Sequence, residues 1–139
     1  MNHIPLTENH LFSKAYASGQ RAGTATVVLY VLKDRREKRL RNENPKKESI
    51  NRLGITASKK IGGAVERNRA KRVIREAYRQ IDLRCSIKRG FIIVIAAREK
   101  ATVVKMQDVE RDLQYSLAKL GMLEVPQHRK EKDGDGEDE

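Results

Sequence analysis

The chain has no tryptophan, a single cysteine and three prolines in 139 residues, and these shortages exclude several classes of protein. Cys85 cannot form a disulfide within the chain, and the three scattered histidines show no spacing typical of a zinc site. The longest apolar run, 90–97, is far too short to cross a bilayer, and no secretory h-region opens the sequence. We therefore expect one domain in the reducing cytoplasm, with no metal ligands and no membrane partner.

Sequence motifs of protein active sites are missing as well. The sequence has no nucleophilic serine elbow, no cysteine–histidine context and no phosphoryl-transfer motif. The glycine pair Gly62–Gly63 lacks the Gly-Lys-Ser/Thr ending of a nucleotide-binding loop, although a helix that begins behind it could accept an anion on its free amides. We predict no catalytic residues, and we look instead for binding surfaces.

Acidic residues are scarce relative to basic ones. Lysine and arginine number 30 against 19 aspartate and glutamate, for a net charge of +11. The segment 126–139 holds three basic and six acidic residues, so residues 1–125 alone carry +14. We predict a domain over 1–125, a disordered acidic tail over 126–139, and a polyanionic partner, most commonly nucleic acid.

The segment 64–81 is predicted to form an amphipathic helix around which the rest of the chain is organised. At roughly 100° per residue, its apolar side chains share one face. These are Ala70, Val73, Ile74, Ala77 and Ile81. The adjoining arc carries Arg67, Asn68, Lys71, Arg72, Arg75 and Arg79. Crowding like charges costs stability, and a partner rich in phosphates, which arginine forks fit well, is the simplest reason to keep them.

Two earlier elements supply the chain's aromatic residues. Thr7 is predicted to cap a helix that stops at Gly19, and on it Phe12 and Tyr16 share a face, either as core or as a binding surface. A strand is predicted over 25–32, with a short partner at 20–22. Its alternation places Val27, Leu29 and Val31 toward the core and Tyr30 on the other side.

The rest of the chain completes an α+β pattern. The segment 33–52 has nine basic and four acidic residues and is predicted to be an exposed loop, either solvated or a contact arm. A strand over 53–58, a buried central strand over 90–97 and a helix over 104–120 ending at Gly121 follow. The predicted fold is a single two-layer α+β domain in the order α-β-β-β-α-β-α, whose crossover between parallel strands would by general rule be right-handed.

Four motifs in the central part of the chain resemble the signature of the protein subunit of bacterial ribonuclease P. They are Ser58–Gly62, Ala64–Val65, Arg67–Arg72 and Arg75–Tyr78. The order of elements over roughly 6–121 is similar to that family too. Gly63 stands where the family commonly has asparagine, and the segment 33–52 looks longer than usual, so no role is carried over to either.

The resemblance implies a protein cofactor of a catalytic RNA, which together with it removes the 5′ leader from precursor tRNA by hydrolysis. Its partners would be the ribonuclease P RNA and precursor tRNA, with magnesium ions held mainly by the RNA and no obligate protein partner. It implies a left-handed crossover, as in ribosomal-protein-like domains. The residues implied to bind the RNA subunit are Lys59, Lys60, Arg67, Asn68, Arg69, Lys71, Arg72 and Arg75. Those implied to bind the leader are Phe12, Tyr16 and Tyr30.

Two other functions remain open from the residues alone. A structural RNA-binding protein, such as a ribosomal component, would share the basic helix but would not discriminate leader-bearing from mature tRNA. A basic amphipathic helix for acidic membranes is disfavoured, because its small aliphatic sector is needed for the core.

Overall fold

A computed structural model of the protein describes residues 3–124, which form one mixed sheet with helices on both faces. The strands are β1 (His3–Pro5), β2 (Gln20–Gly23), β3 (Val27–Lys33), β4 (Asn51–Thr56) and β5 (Phe91–Ala97). The helices are α1 (Asn9–Ser18), α2 (Glu37–Glu43), α3 (Ala64–Cys85) and α4 (Met106–Lys119). Single 3₁₀ turns at Lys59–Ile61 and Glu99–Thr102 precede α3 and α4. The predicted tail at 126–139 lies outside the described residues.

The strands lie in the order β1-β4-β5-β3-β2. β4 is parallel to both of its neighbours, β1 and β5, whereas β3 is antiparallel to β5 and to β2. The α3 helix therefore connects two adjacent parallel strands, β4 and β5, as the predicted crossover requires. Its left-handed sense stays a prediction.

Strand alternation divides the interior into two clusters, one on each face of the sheet. Val27, Leu29 and Val31 of β3 point toward α3 and α4, as predicted. Tyr30 points the other way and joins the smaller cluster beneath α1. The two predicted layers are thus the sheet and the α3–α4 pair, and α1 adds a partial third layer on the opposite face.

The α3 helix packs as its periodicity predicts and is longer than expected. Ala70, Ile74, Ala77 and Ile81 are fully buried, and Val73 lies at the margin of the core. The helix continues to the buried Cys85 rather than ending at residue 81.

A buried hydrogen bond ties α3 to the sheet. Asn51 of β4 donates its amide N–H to the Tyr78 hydroxyl oxygen at 3.2 Å. Burial raises the pKa of Tyr78 to about 12, so this hydroxyl stays neutral. The bond therefore joins two uncharged groups inside the larger cluster.

Some predicted boundaries were wrong for identifiable reasons. The loop predicted over 33–52 contains the helix α2. Because α2 has no fully buried residue, its sequence shows no apolar periodicity. The helix is stabilised by the (i, i+4) ion pairs Glu37–Arg41 and Arg39–Glu43. Strand β4 begins at Asn51, two residues before the predicted start, because its first two residues are polar and nevertheless buried.

The first elements also differ from the prediction. Strand β1 was not predicted, and it exists by pairing with β4, far away in sequence. Thr7 does not cap α1: the helix begins at Asn9 behind Glu8, and the Thr7 hydroxyl donates instead to the Glu8 carboxylate. Between residues 3 and 124 there is no helix with the length and apolar character needed to cross a membrane.

Candidate nucleic-acid interface

One face of α3 presents most of the predicted basic arc to solvent, whereas Arg79 pairs with Glu76 at 2.7 Å. Asn68, Lys71, Arg72 and Arg75 project from it on successive turns, and none forms a hydrogen bond or ion pair with the described residues. Arg67 is half-buried and donates from its Nε to the Gly63 carbonyl oxygen at 3.3 Å, close to its own helix start. The structure thus brings five of the predicted side chains into one positively charged strip with open hydrogen-bond donors.

Arg69 departs from that strip. It projects from the opposite flank of α3, where its guanidinium donates to the carbonyl oxygens of Ala101 at 3.3 Å, Thr102 at 3.2 Å and Val104 at 3.1 Å. These three carbonyls lie in the turn that leads into α4, and the Arg69 guanidinium donates a hydrogen bond to each of them. Arg69 therefore holds the α4 connection against α3, and a role in RNA contact stays a prediction. The helical wheel carried this signal, because residue 69 lies outside the basic arc.

Lys59 and Lys60 are exposed in the 3₁₀ turn that joins β4 to α3. Gly62 follows with φ of 156°, and a Cβ there would stand 2.9 Å from the Glu66 Cβ, so this tight turn needs glycine. At Gly63 an added Cβ would stand 3.1 Å from a Glu66 carboxylate oxygen. The carboxylate of Glu66 therefore already lies beside the first turn of α3, where the sequence suggested that the free amides could bind an external anion.

The three predicted aromatic residues meet on the other face of the sheet. The rings of Tyr16 and Tyr30 are edge to face with centroids 4.9 Å apart, and the Tyr16 hydroxyl lies 3.2 Å from the Thr56 hydroxyl. Phe12 covers Gly54 so closely that a Cβ there would stand 2.5 Å from its ring carbons. Tyr16 is 45% exposed, and Phe12 and Tyr30 are half-buried. This aromatic cleft combines an inner wall that packs on the sheet with faces left open to solvent.

Two cations beside the aromatic cleft were missed by the sequence analysis. Arg21 of β2 pairs directly opposite Tyr30, which places both side chains on the same face of the sheet. Arg98 follows β5 and donates to the Thr24 carbonyl oxygen at 3.1 Å, at the end of the same face. The alternation of β2 against β3 was the available signal, since the pairing itself was predicted. Together they give the cleft a positive edge.

A buried ion pair fixes α1 over the sheet. Arg52 of β4 is 5% exposed and donates two hydrogen bonds to Asp34, at 2.7 and 2.8 Å, and one to Glu8 at 3.1 Å. The hydrogen bonds to Asp34 raise the pKa of Arg52, and the nearby Glu8 carboxylate adds to this. Because Glu8 directly precedes α1, this contact sets where Phe12 and Tyr16 lie.

The basic strip and the aromatic cleft occupy different parts of the molecule. The basic strip lies on the side of the sheet covered by α3, and the aromatic cleft lies on the side crossed by α1. Lys59 and Lys60 come shortly after Thr56, at the edge between them. Over residues 3–124, no group of three or more histidine, cysteine, aspartate or glutamate side chains is arranged to hold a metal ion.

Proteins of known family match this chain over most of its length. The family model described as Ribonuclease P matches residues 1–121. The "Ribonuclease P protein component" of Dehalococcoides mccartyi is 40% identical over 118 residues, which span 85% of either chain. That of Clostridium botulinum is 34% identical over 122 residues, or 88% of this chain and 98% of the relative.

Solved structures give the same result. The RNase P protein of Staphylococcus aureus superimposes with a TM-score of 0.65 at 26% identity, covering 88% of this chain and 97% of that one. The RNase P protein of Thermotoga maritima gives a TM-score of 0.62 at 25% identity, covering 80% and 92%. The chain therefore belongs to the family of ribonuclease P protein components.

Proposed function

We propose that this protein is the RNA-binding subunit of a ribonuclease P ribonucleoprotein and assists a catalytic RNA in removing the 5′ leader from precursor tRNA. The observation that carries the proposal is the presence of two different binding surfaces on opposite faces of one sheet. A protein that assists a catalytic RNA in this way must contact two RNA molecules at once, the catalytic RNA and the substrate. Each of the two surfaces has the chemistry to bind one of them.

The basic strip on α3 would contact the catalytic RNA. Asn68, Lys71, Arg72 and Arg75 have no partner among the described residues, so they need no internal bond to be broken before they meet phosphates. The arginine fork suits a phosphate group better than a lysine point charge does. Lys59 and Lys60 extend this surface toward the edge of the sheet.

The aromatic cleft would bind the single-stranded leader. Single strands are held by aromatic faces on which bases stack beside positive charges that meet the backbone. Phe12, Tyr16 and Tyr30 supply the rings, and Arg21 and Arg98 supply the charge. Magnesium ions held mainly by the catalytic RNA would carry the hydrolysis in this proposal, and the protein would position the substrate.

Reconstitution tests the proposal. The full chain is combined with a bacterial ribonuclease P RNA and a precursor tRNA at low magnesium concentration, and 5′ cleavage is compared with that by the RNA alone. We expect the protein to raise the cleavage rate and to tighten binding of precursor more than of mature tRNA. No gain in cleavage would refute the proposal. Equal affinity for precursor and mature tRNA would point to a structural RNA-binding protein instead.

A further inference from the structure

A second positively charged recess lies beside α1, on the side away from the aromatic cleft. Residues four apart on a helix share a face, so Phe12 and Tyr16 turn toward the cleft, whereas Lys14 turns the other way. Lys14 forms one wall of a recess of about 310 Å³, and the chain following β3 forms the other. A neighbouring recess of about 710 Å³ shares these walls and continues past Ser18 to Lys38. We call the two together the α1–α2 groove.

The negative charges of the α1–α2 groove are already neutralised by internal partners. Glu8 and Asp34 accept hydrogen bonds from Arg52, which is itself buried. Glu37 accepts from Arg41 at 3.1 Å and from the Ser49 hydroxyl. Its three carboxylates therefore leave little negative potential in the groove.

Arg36 and Arg52 of the same groove pair with its acids, but the other cations of the groove do not. Lys14, Lys33, Arg35 and Lys38 also line it, and the side chain of none of them forms a hydrogen bond or ion pair with any residue between 3 and 124. Four free cations on two facing walls form a strong field for an anion. A merely solvated surface would tend to interleave the two signs as pairs, which α2 does on its outer side with Arg39 and Glu43.

The chemistry of the groove indicates a sugar–phosphate backbone rather than bases. Its apolar floor consists of Leu11, Leu32 and Ile92, and its lining includes the His10 imidazole but no phenylalanine, tyrosine or tryptophan ring. Base stacking needs aromatic faces, whereas backbone binding needs cations at the walls. The leader is the single-stranded nucleic acid of the proposed function, so its backbone is the occupant that we consider.

We propose that the α1–α2 groove binds the backbone of the precursor tRNA leader upstream of the nucleotides held in the aromatic cleft. This inference rests on the proposed function. The groove and the cleft share the sheet face that α1 crosses, whereas α3 and its basic strip lie behind the sheet. Since a helix with its side chains is about 10 Å across, a few nucleotides suffice to pass from one site to the other over α1.

The segment 33–50 thereby gains a function. Lys33, Arg35 and Lys38 belong to this segment. The Glu37–Arg41 ion pair stabilises α2, the helix that carries Lys38. On this proposal, the basic segment that the sequence left open between a solvated loop and a contact arm has two parts. One part lines the groove, and the other, around Lys46, lies away from it.

The test compares leaders of different length in the reconstituted ribonucleoprotein. Dissociation constants are measured for mature tRNA and for precursors with leaders of roughly 4, 8 and 16 nucleotides, the range that single-strand sites span. The variant is Lys14→Gln with Arg35→Gln, which removes one charge from each wall and leaves side chains of similar size. The matched control is Lys46→Gln with Lys119→Gln, which removes the same charge away from the groove.

We expect the wild-type complex and the control to bind more tightly as the leader lengthens, and the groove variant to lose that gain. For the longest leader, the slope of log K against log salt should fall in magnitude by about 1.4, since each single-strand phosphate contact contributes about 0.7. Equal losses for mature tRNA and every leader, or weaker binding of the catalytic RNA itself, would overturn the inference. So would a variant indistinguishable from the control.

The two proposals fail in different ways. If the wild-type chain gives no gain in cleavage with any precursor, the proposed function fails and the leader site fails with it. If the wild-type chain stimulates cleavage but the groove variant keeps the full gain with leader length, the leader site alone fails.

Discussion

Replacing Arg69 by alanine should destabilise the fold, whereas replacing its neighbour Arg72 should not. The Arg69 guanidinium donates to three backbone carbonyl oxygens in the connection to α4, at 3.1 to 3.3 Å. Arg72 is exposed and bonds to no described residue. The two side chains carry the same charge on the same helix, so comparing them separates an internal brace from a surface contact.

The magnitude follows from the three bonds and their exposure. A hydrogen bond to a charged group contributes about 1.5 to 3 kcal/mol when well buried, but this guanidinium is only partly buried and water can replace it at the carbonyls. We therefore expect Arg69→Ala to lower the free energy of unfolding by about 2 kcal/mol in total. For a chain of this size that corresponds to a fall in melting temperature of about 6 to 10 °C.

Urea and thermal unfolding followed by circular dichroism give the answer. Arg72→Ala should stay within about 0.5 kcal/mol of the wild type, as exposed substitutions generally do. Arg69→Lys keeps the charge but not the three-armed geometry, and it should recover only a minor part of the loss. Wild-type stability in Arg69→Ala, together with weaker RNA binding and a shallower salt dependence, would show that Arg69 is a surface contact and that the bracing role is wrong.

Four further outcomes are expected. Gly54→Ala should cost about 1 to 3 kcal/mol by pushing the Phe12 ring off the sheet, and adding Phe12→Ala should recover part of the stability, which denaturant unfolding will show. Tyr16→Ala should weaken the preference for leader-bearing substrate by about 1 to 3 kcal/mol and Tyr16→Phe should not; a loss of thermal stability alone would assign the ring to the core. Arg75→Ala should lower the salt slope of catalytic RNA binding by about 0.7 to 0.9, and an unchanged slope would remove it from the interface. Burial lowers the pKa of His3, so the unfolded chain binds more protons and stability should fall as pH drops through 6.5; His3→Gln should flatten that part of the curve in pH-dependent unfolding.

Local patterns predicted the elements whose signal is contained in their own residues. The periodicity of α3 identified four fully buried positions, and the alternation of β3 assigned Leu29 and Tyr30 to opposite faces. Both predictions succeed because a helix or strand buried on one face repeats its apolar residues at the period of its backbone. The family resemblance rests on the same segments, and the comparisons confirm it.

The wrong predictions concern elements that are stabilised by residues far away in the sequence. Strand β1 is held by pairing with β4, and the start of β4 carries the polar residues Asn51 and Arg52. Arg52 can be buried because Asp34 and Glu8, 18 and 44 residues away, accept its hydrogen bonds. No local window contains these partners, so composition assigned the residues to a loop.

The candidate site divides in the same way. The basic arc on one helix and the aromatic pair four residues apart could be read from the sequence, and a polyanionic partner was predicted from them, because charge and helical spacing are properties of neighbouring residues. The folded structure alone shows that Arg69 is used internally and that Arg21 lies beside the aromatic cleft. It alone placed Lys14 opposite Arg35 across a groove whose acids are already paired. The physical reason is that an exposed charge is free or occupied according to which distant groups the fold brings within hydrogen-bond reach.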